Sequence, residues 1–458
     1  MRDLVLAALI AALVPAILAR PHVGLLAYVW VSLMAPHRLA FGFAQEIPWA
    51  QLLFLLTLAR WLASGERKLP LWGPLSTVLA AFTALFALST AQAWAPEPAA
   101  EKLDFALKIV LALVLTTILI DRPERLRQLV WVVTLSIAFY GIKGGLFVLA
   151  TGGAHQVLGP QPSLMADNNG IALALVMMLP LLQYLYETSR AFWLRAALLA
   201  ASGLTALAVL GTWSRGGLLA LVAMAAVLWW RSRAKLPLAL LGGCAALALA
   251  LVMPDAWYAK MGTIDEYDQD VSAQLRFTAW SYATEVALQS PWLGGGFRVF
   301  VLNNIRHGAG GSSEYLNAHS IYFEVLGELG FLGLALFLAL LLGGMLTAGR
   351  LMRRERERPD LHELARLGAA LQVSLVGYAV GGALLNMAFF ELFYHLLAIL
   401  IVADRLSLAA PAPRAEPAAA PLDRGELARR LLAGTWSGAS GATERGAGRE
   451  GLAGHPSQ

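Results

Sequence analysis

The sequence predicts an all-α polytopic membrane protein with 12 or 13 transmembrane helices and one long external loop. Of its 458 residues, 58% are hydrophobic, and the mean hydropathy of +0.62 is far above that of a soluble domain. Windows free of charged residues recur along the chain, and each is long enough to cross a hydrocarbon core of roughly 30 Å as a helix. We expect helices rather than strands because these apolar runs are continuous and do not alternate with polar residues.

The apolar segments define the expected spans in chain order. They fall near 48–63, 71–93, 103–120, 128–150, 168–186, 196–214, 216–230, 236–253, 320–349, 367–387 and 389–404. Residues 4–36 add one or two further crossings, since the segments 4–19 and 23–36 are both short. We expect the first segment to be retained in the mature protein, because it lacks a convincing small-residue cleavage site.

Short basic loops give the orientation through the positive-inside rule. These loops contain Arg67 and Lys68, then Arg122, Arg125 and Arg127, then Arg190 and Arg195, then Arg231, Arg233 and Lys235, and finally five arginines between 350 and 358. The segments 94–102, 151–167, 212–216 and 254–319 are therefore expected to face outward. The net charge of +5 is explained by the basic loops and does not indicate a nucleic-acid partner.

Composition divides the chain into three parts. Residues 1–165 form an N-terminal transmembrane region, and residues 166–405 form a transmembrane core that includes the loop 254–319. Residues 406–458 are rich in Ala, Pro, Gly, Ser and Arg. Such a segment cannot bury enough apolar surface to fold alone, so we expect a disordered cytoplasmic tail.

The stretch from Asn317 to Gly333 closes the long polar loop and opens a transmembrane helix. His319 lies near its start, where an imidazole can exchange protons near neutral pH and meet both water and lipid-borne substrates. We interpret His319 as a candidate general base, with a residue that only caps the helix mouth as the alternative. Glu324 and Glu328 follow on the same helix. Charges within a membrane are costly and usually functional, and the alternative is that both carboxylates bond to neighbouring helices.

Residues 212–217, with the sequence TWSRGG, form an expected turn between two spans. A helix that begins at Gly216 presents free N–H groups and the positive end of its dipole. Arg215 adds a planar fork that suits phosphate. We therefore predict a phosphate cradle at Arg215 and Gly216, and the alternative is an arginine that snorkels to lipid headgroups.

The long loop supplies two further candidate anion ligands, Arg276 and Arg298. Arg276 lies in a stretch expected to form an amphipathic helix. Arg298 follows the segment 291–296, which we expect to be a rigid turn against the membrane surface. For either arginine, the alternative is a solvated side chain. The acidic segment 265–270 is expected to be a solvated loop rather than a metal site.

Two charged residues flank the first external segment of the core. Lys143 interrupts the span 128–150, and Asp167 opens the next helix. A lysine inside a membrane is a functional candidate by default, and an ion pair with Asp167 is the alternative. The sequence contains no P-loop, no Ser-His-Asp arrangement and no His/Cys cluster. We therefore predict neither a metal nor another cofactor.

Taken together, these features resemble the bacterial O-antigen ligase and polymerase superfamily. The resemblance is carried by Arg215 with Leu219 four residues later, by Arg276 before Trp280, and by His319-Ser320 followed by Gly330-Phe331-Leu332-Gly333. It covers about residues 165–345. The segment Met1–Trp61 is similar to the O-glycosylation ligases associated with exosortase A systems.

The resemblance implies a membrane glycosyltransferase in the bacterial inner membrane, with its active site facing the periplasm. The donor would be a glycan on polyprenyl diphosphate, and the acceptor would be a hydroxyl of a glycan, lipid or protein. Arg215, Gly216 and Arg276 would hold the diphosphate in place of a metal, and His319 would remove the acceptor proton in one inverting displacement. The alternatives are an O-antigen or exopolysaccharide polymerase of the same superfamily, and a polysaccharide transporter, for which inverted repeats would be expected.

Overall fold

The computed structural model describes residues 1–410, apart from 66–68, 71, 233, 238, 241, 244–253, 256, 259–270 and 303–316. The described residues form helices and connecting loops, without a strand. Several features singled out above lie outside them. These are the single cysteine Cys244, most of the expected span 236–253, the acidic segment 265–270 and the tail from residue 411.

The helices are numbered here in chain order. They are α1 (Arg2–Ala19), α2 (Pro21–Met34), α3 (Trp49–Leu62), α4 (Pro74–Ala91), α5 (Pro96–Leu119), α6 (Pro123–Thr151), α7 (Asn168–Thr188), α8 (Phe192–Gly211), α9 (Arg215–Arg231), α10 (Val271–Gln289), α11 (Ile321–Glu357), α12 (His362–Gly382) and α13 (Glu391–Ala409). Short 3₁₀ turns cover Pro36–Leu39, Phe43–Gln45 and Pro359–Leu361. Apart from 236–253, each expected span overlaps one of these helices.

Local sequence explains where many of the helices begin. Four of them start with a proline, at Pro21, Pro74, Pro96 and Pro123. Proline suits this position because the first N–H of a helix has no intrahelical partner and the fixed φ is already helical. Two others start after a capping side chain, Asp167 for α7 and Ser214 for α9. Each cap satisfies one of the free N–H groups of its helix.

Among the described helices, eight are long and apolar enough to cross a membrane. They are α1, α4, α6, α7, α8, α11, α12 with the turn before it, and α13. This confirms the all-α polytopic architecture. Eight is fewer than the 12 or 13 expected crossings, because α2 and α3 have only 14 residues each, α9 has 17, and the first half of α5 carries charged residues.

Helices α7 and α13 lie at the centre of the bundle. Of their apolar windows, 78% and 72% respectively are buried within the protein, against 17% for α1. A helix that is apolar on all sides can be surrounded by lipid or by other helices, and for α7 and α13 the surroundings are mostly other helices. Aromatic side chains fill the space beside α13. Tyr378 and Phe393 stack with ring centroids 4.5 Å apart, and Phe82 meets Phe86 edge-on at 4.7 Å.

The loops that the positive-inside rule assigns to the outer side lie at one end of the bundle. The Trp94 amide donates to the Gly295 carbonyl at 2.9 Å, and the Val157 amide donates to the Gly211 carbonyl at 2.9 Å. The Asn168 side chain donates to the Thr212 carbonyl at 3.0 Å. Because each bond joins two different loops, this end of the bundle is one continuous surface. Every residue singled out below lies at or near it, except for Lys143.

Candidate functional site

The start of α9 is built by its own sequence. Ser214 adopts extended backbone, and its hydroxyl accepts a hydrogen bond from the Gly217 amide at 3.0 Å. Trp213, immediately before it, lies in the left-handed region with φ 56°. This turn places Arg215, which is half-buried, at the first helical position. The predicted helix start at the arginine and the glycines is therefore present.

The start of α7 lies beside the start of α9. The Ser214 hydroxyl donates to Asn169 Oδ1 at 2.7 Å, in addition to the bond between Asn168 and Thr212. A Cβ added to Gly217 would lie 2.6 Å from Ala172 Cβ, so this glycine lets the two helices approach closely. We call residues 167–170 and 214–217 the paired helix start. The positive dipole end of α9 and the Arg215 guanidinium favour an anion there, while the Asp167 carboxylate caps the adjacent start of α7.

Asp167 and Lys143 do not form the ion pair considered from the sequence. Asp167 is exposed, and its Oδ1 accepts a hydrogen bond from the Gly170 amide at 2.6 Å. Lys143 is exposed on α6 and lines a separate cavity together with Arg38 and Tyr140. The structure therefore assigns Asp167 to the helix cap, where the negative charge is stabilised by free N–H groups. Lys143 is not part of the region around His319.

His319 is exposed at the turn that leads into α11. Its φ of 43° lies in the left-handed region, where a non-glycine residue is strained. Neighbouring residues stabilise this strained conformation. The indole N–H of Trp280 on α10 donates to the Ala318 carbonyl at 2.7 Å. The same indole stacks on Phe323 of α11, with centroids 4.9 Å apart. Trp280 thus fixes both sides of the turn that presents the imidazole.

Arg276 reaches the same region through α10. It lies one helical turn before Trp280 and therefore on the same face of the helix. Its side chain is half-buried rather than fully solvated. The role of Arg276 as an anion ligand stays a prediction, with a solvated arginine as the alternative. The structure brings Arg276 to the face of α10 that packs beside the His319 turn.

The starts of α9 and α11 both rest on the last turn of α12. A Cβ on Gly381 would lie 3.0 Å from Ala220 Cβ of α9 and 3.9 Å from the Gly216 carbonyl oxygen. A Cβ on Gly382 would lie 2.7 Å from Ile321 Cδ1 of α11. Adjacent glycines therefore let both helix starts pack closely against α12. This packing places Arg215 and His319 at the same end of α12, which no spacing in the sequence could indicate.

Glu324 and Glu328 share a buried partner, Lys102 of α5. The lysine Nζ lies 2.6 Å from Glu324 Oε1 and 2.7 Å from Glu328 Oε2, and the three side chains are 12%, 4% and 2% exposed. Its ammonium also lies 4.8 Å from the centroid of the Phe389 ring. Burying three charges is costly, and it is stable only where each charge has a partner. Glu324, predicted as a possible site residue, is therefore part of an ion-pair network.

Two backbone amides donate further hydrogen bonds to the carboxylates of Glu324 and Glu328. The Ala388 amide donates to Glu324 Oε2 at 3.0 Å, and the Arg298 amide donates to Glu328 Oε1 at 2.8 Å. Arg298 adopts φ 56°, which turns its amide inward while its side chain remains exposed. Its guanidinium donates to Glu101 at 3.0 Å. The predicted anion ligand Arg298 is thus already engaged by two carboxylates.

A cavity of about 550 Å³ lies against this network. We call it the carboxylate cavity. It is lined by Pro98, Glu101, Lys102, Phe105, Leu164, Arg298, Phe300, Val301, Asn317, Glu324, Glu328, Asn386, Met387 and Phe389. Glu101, Arg298 and Asn317 are exposed at its mouth, while Glu324 and Glu328 are buried at its base. It opens beside the His319 turn, since Asn317 is only two residues away.

Helix α11 is broken at Gly330, within the Gly-x-x-Gly pattern noted in the sequence. Gly330 has φ 69°, which interrupts the helical hydrogen bonds. The segment 290–296 supplies hydrogen-bond partners for the backbone groups at this break. The amides of Gly295 and Gly296 donate to the carbonyls of Gly327 and Glu328 at 2.9 and 3.0 Å. The expected turn at 291–296 is present. It packs against α11, where the freed carbonyls need partners and this segment supplies them.

Sequence reasoning missed Lys102 and Asn386. One signal for the first was available, since Glu324 and Glu328 are four residues apart and so lie on one helix face, where they can share a single cation. Nothing in the sequence identified Lys102 as that cation. It is 222 positions from Glu324. Asn386 lies in the connection between α12 and α13, which the sequence showed only as a break between apolar segments.

Residues with a strained backbone conformation cluster near Arg215, the carboxylate cavity and His319. Among the described residues, the non-glycine residues with positive φ are Ala35, Trp213, Arg298 and His319. The last three lie beside Arg215, at the carboxylate cavity and at the candidate base. Such residues persist only where the surrounding structure holds them, and they cluster at functional sites.

No group of three or more His, Cys, Asp and Glu side chains in the described part of the chain is arranged to hold a metal ion. Asp268 and Asp270, which have the spacing considered for metal binding, lie outside that part. The region around His319 instead offers cations and helix starts for an anion. It also offers an imidazole for a proton and a separate polar cavity.

Comparison with known families divides the chain near α8. Residues 196–338 match the O-antigen ligase family, and residues 1–190 match a family of unknown function, DUF5935. No curated protein matches the chain at a significant level. The first match contains Arg215, Arg276, His319, Glu324 and Glu328, whereas Lys102 falls in the second. The comparisons do not test the similarity to ligases of exosortase A systems, which stays a prediction.

Proposed function

We propose, from the match of residues 196–338 to the O-antigen ligase family, that this chain transfers a glycan from a polyprenyl-diphosphate carrier to an acceptor hydroxyl. The reaction would take place at the periplasmic face of the bacterial inner membrane. One observation carries the proposal. The helix starts that bear Arg215 and His319 rest on the same last turn of α12, so a group for an anion and a group for a proton lie at one end of the bundle.

The paired helix start is proposed to hold the donor diphosphate. Free N–H groups at the start of α9, including that of Gly216, would donate to phosphate oxygens, and Arg215 would add a two-point contact. Arg276 would contact the diphosphate from α10. These cations stabilise the negative charge that grows on the leaving group, so they contribute more in the transition state than in the bound ground state.

The chemical step is a single displacement. The acceptor oxygen forms a bond to the anomeric carbon of the donor sugar while the bond between that carbon and the diphosphate oxygen breaks. The acceptor proton passes to His319, and polyprenyl diphosphate leaves with the electron pair of the broken bond. One displacement inverts the configuration at the anomeric carbon. We propose that the two arginines replace a metal for departure of the diphosphate.

The proposal is tested by reconstituting the full chain in liposomes with a purified lipid-linked glycan and an acceptor. We expect glycosylated acceptor and polyprenyl diphosphate to appear in equal amounts. A longer glycan that remains on the lipid carrier would instead identify a polymerase of the same superfamily. Movement of intact lipid-linked glycan across the bilayer without cleavage would identify a transporter and contradict the proposal.

The orientation is tested by cysteine labelling in a Cys244→Ala background. Gln289→Cys, at the exposed end of α10, and Glu357→Cys, at the exposed end of α11, lie at opposite ends of the bundle in the proposed topology. A membrane-impermeant maleimide added to intact spheroplasts should label the first variant and not the second. The reverse result would place the His319 turn in the cytoplasm.

A further inference from the structure

We infer that the carboxylate cavity is the acceptor site and that it takes an uncharged, hydroxyl-rich sugar rather than a phosphorylated one. The inference rests on the proposed function and goes beyond it, because it assigns a site and a substrate class. It also gives a role to part of the region that matches a family of unknown function. Pro98, Lys102 and Leu164 belong to that region, and they line one wall of the cavity.

The lining has the chemistry that a sugar ring requires. Exposed carboxylate and amide groups at Glu101 and Asn317 can exchange hydrogen bonds with hydroxyls. Phe105, Phe300 and Met387 supply apolar surface for the C–H faces of a ring. A few polar groups on a mainly apolar wall are typical of sites for small ligands, and a volume of about 550 Å³ lies within their usual range.

The charge of the cavity disfavours phosphate. Three carboxylates line it, at Glu101, Glu324 and Glu328, against two cations, at Lys102 and Arg298. Both cations are already bound to these carboxylates. A phosphate entering the cavity would therefore meet uncompensated negative charge, which is repulsive where the surroundings are apolar. An uncharged sugar avoids this repulsion and can still donate hydroxyl protons to carboxylate oxygens.

Asn386 adds an independent observation. Its Oδ1 is buried and accepts no hydrogen bond from the described residues, although the side chain lines the cavity. A buried acceptor without a partner is unfavourable and calls for an explanation. A hydroxyl of a bound sugar would supply the missing donor. Substitution of Asn386 should not harm the fold, because the lost side-chain oxygen takes part in no bond within this part of the protein.

The position of the cavity fits an acceptor. Asn317 at its mouth precedes His319 by two residues, and Glu324 at its base follows by five. On the other side, Leu384 packs 3.7 Å from a Cβ placed on Gly216, and Asn386 is two residues further along the same connection. The carboxylate cavity therefore adjoins the His319 turn, and the connection between α12 and α13 links the cavity to the paired helix start. That arrangement suits a base that takes a proton from an acceptor bound in the cavity.

The test measures binding by saturation-transfer NMR on the detergent-solubilised full chain, without donor. The probes are the methyl glycosides of glucose, galactose, mannose and N-acetylglucosamine, and the 6-phosphates of the same sugars. We expect at least one methyl glycoside to bind more tightly than its phosphate. Asn386→Ala should raise its Kd about tenfold, the effect of one lost hydrogen bond. Gln289→Ala is the matched control, since this exposed amide bonds only to Glu285 on its own helix and does not line the cavity.

Three results would overturn the inference. They are no binding of any methyl glycoside, equal affinity in Asn386→Ala and wild type, and tighter binding of the phosphates. The transfer assay separates this inference from the proposed function. If Asn386→Ala still transfers glycan with an unchanged KM for the acceptor, the cavity is not the acceptor site, but the proposed function is retained. If sugar binding depends on Asn386 but the protein cleaves no lipid-linked donor, the cavity is a sugar site and the proposed function is contradicted.

Discussion

The paired helix start and the carboxylate cavity lie at the same end of the molecule and have opposite chemistry. The first combines the start of α9, hydroxyl and amide side chains and Arg215, and so it favours negative charge beside the start of α7 that Asp167 already caps. The second is built on buried carboxylates that already share Lys102 and the amides of Arg298 and Ala388. One region is suited to an anion and the other to an uncharged polar group. In the proposed reaction, two substrates of different charge would occupy these two regions.

The two regions also differ in how they are assembled. The helix start at Arg215 comes from six consecutive residues, 212–217, whose local preferences agree with one another. The carboxylate cavity joins residues near 100, 300, 320 and 390. It also joins the two parts of the chain that match different families. The start of α9 at Arg215 lies within the residues that match the O-antigen ligase family, whereas the cavity is lined by residues from both matched parts.

The largest expected effect is on His319, which follows Asn317 of the cavity lining by two residues. His319→Ala should reduce transfer by roughly 10²–10⁴-fold, the usual contribution of a general base, while the protein still inserts and folds. The measurement is the initial rate of transfer in liposomes. His155→Ala is the matched control, since His155 is also exposed at this end of the bundle and should be dispensable. Activity of His319→Ala within about tenfold of wild type would contradict a general base.

Substitution of Lys102 should disrupt the ion-pair network of the carboxylate cavity and leave the paired helix start unchanged. Lys102→Met leaves two buried carboxylates unpaired, and breaking such a pair typically costs about 3–5 kcal/mol. We expect a large fall in thermal stability. Lys108→Met is the control, because Lys108 pairs with Asp104 on the same helix but both side chains are more than half exposed. That pair should contribute little.

A rescue variant sharpens this test. Lys102→Met combined with Glu324→Gln and Glu328→Gln removes all three charges, and it should recover much of the lost stability. If Lys102→Met is as stable as Lys108→Met, the buried network does not have the role assigned to it. If the combined variant is no more stable than Lys102→Met, charge burial is not the cause of the loss.

Arg215→Lys examines the donor end alone. Both side chains carry one charge and can snorkel, but lysine lacks the planar fork that makes a two-point contact with phosphate. We expect a loss in transfer rate of roughly 10²-fold at saturating donor, close to that of Arg215→Ala. Arg231→Lys, at the opposite end of the same helix, should behave as wild type. Wild-type turnover by Arg215→Lys would remove this arginine from the catalytic set.

The two glycines of the paired helix start should respond differently to the same substitution. A Cβ on Gly217 would lie 2.6 Å from Ala172 Cβ, whereas a Cβ on Gly216 would have its nearest neighbour at 3.7 Å. Gly217→Ala should therefore destabilise the contact between α7 and α9 by about 1–3 kcal/mol. Gly216→Ala should leave the thermal midpoint close to that of wild type. Equal destabilisation by both variants would show that the two helices do not pack as described.

Chelation should have the smallest effect. We expect transfer to continue at an unchanged rate in EDTA, because the arginines and helix starts are proposed to stabilise the leaving diphosphate without a metal. The measurement is the rate before and after dialysis against the chelator. Loss of activity that a divalent ion restores would contradict this prediction. It would also direct attention to Asp268 and Asp270.

Much of the fold could be predicted because helix formation is local. Apolar runs of suitable length predict helices in a membrane, and prolines and capping residues predict where they begin. The start of α9 at Arg215 follows from the same local rules. His319 could be placed at the mouth of α11 because the composition changes there from polar to apolar. These features depend on residues within about one helical turn of one another.

The tertiary structure alone decided which faces meet. Lys102 became the partner of Glu324 and Glu328 because α5 packs on α4 and α13, which both pack on α11. The Gly330 break could be tolerated because Gly295 and Gly296 supply amides for the freed carbonyls. Buried charges and carbonyls must be satisfied. The sequence therefore determined that partners were needed, and only the packing of distant helices determined which residues they are.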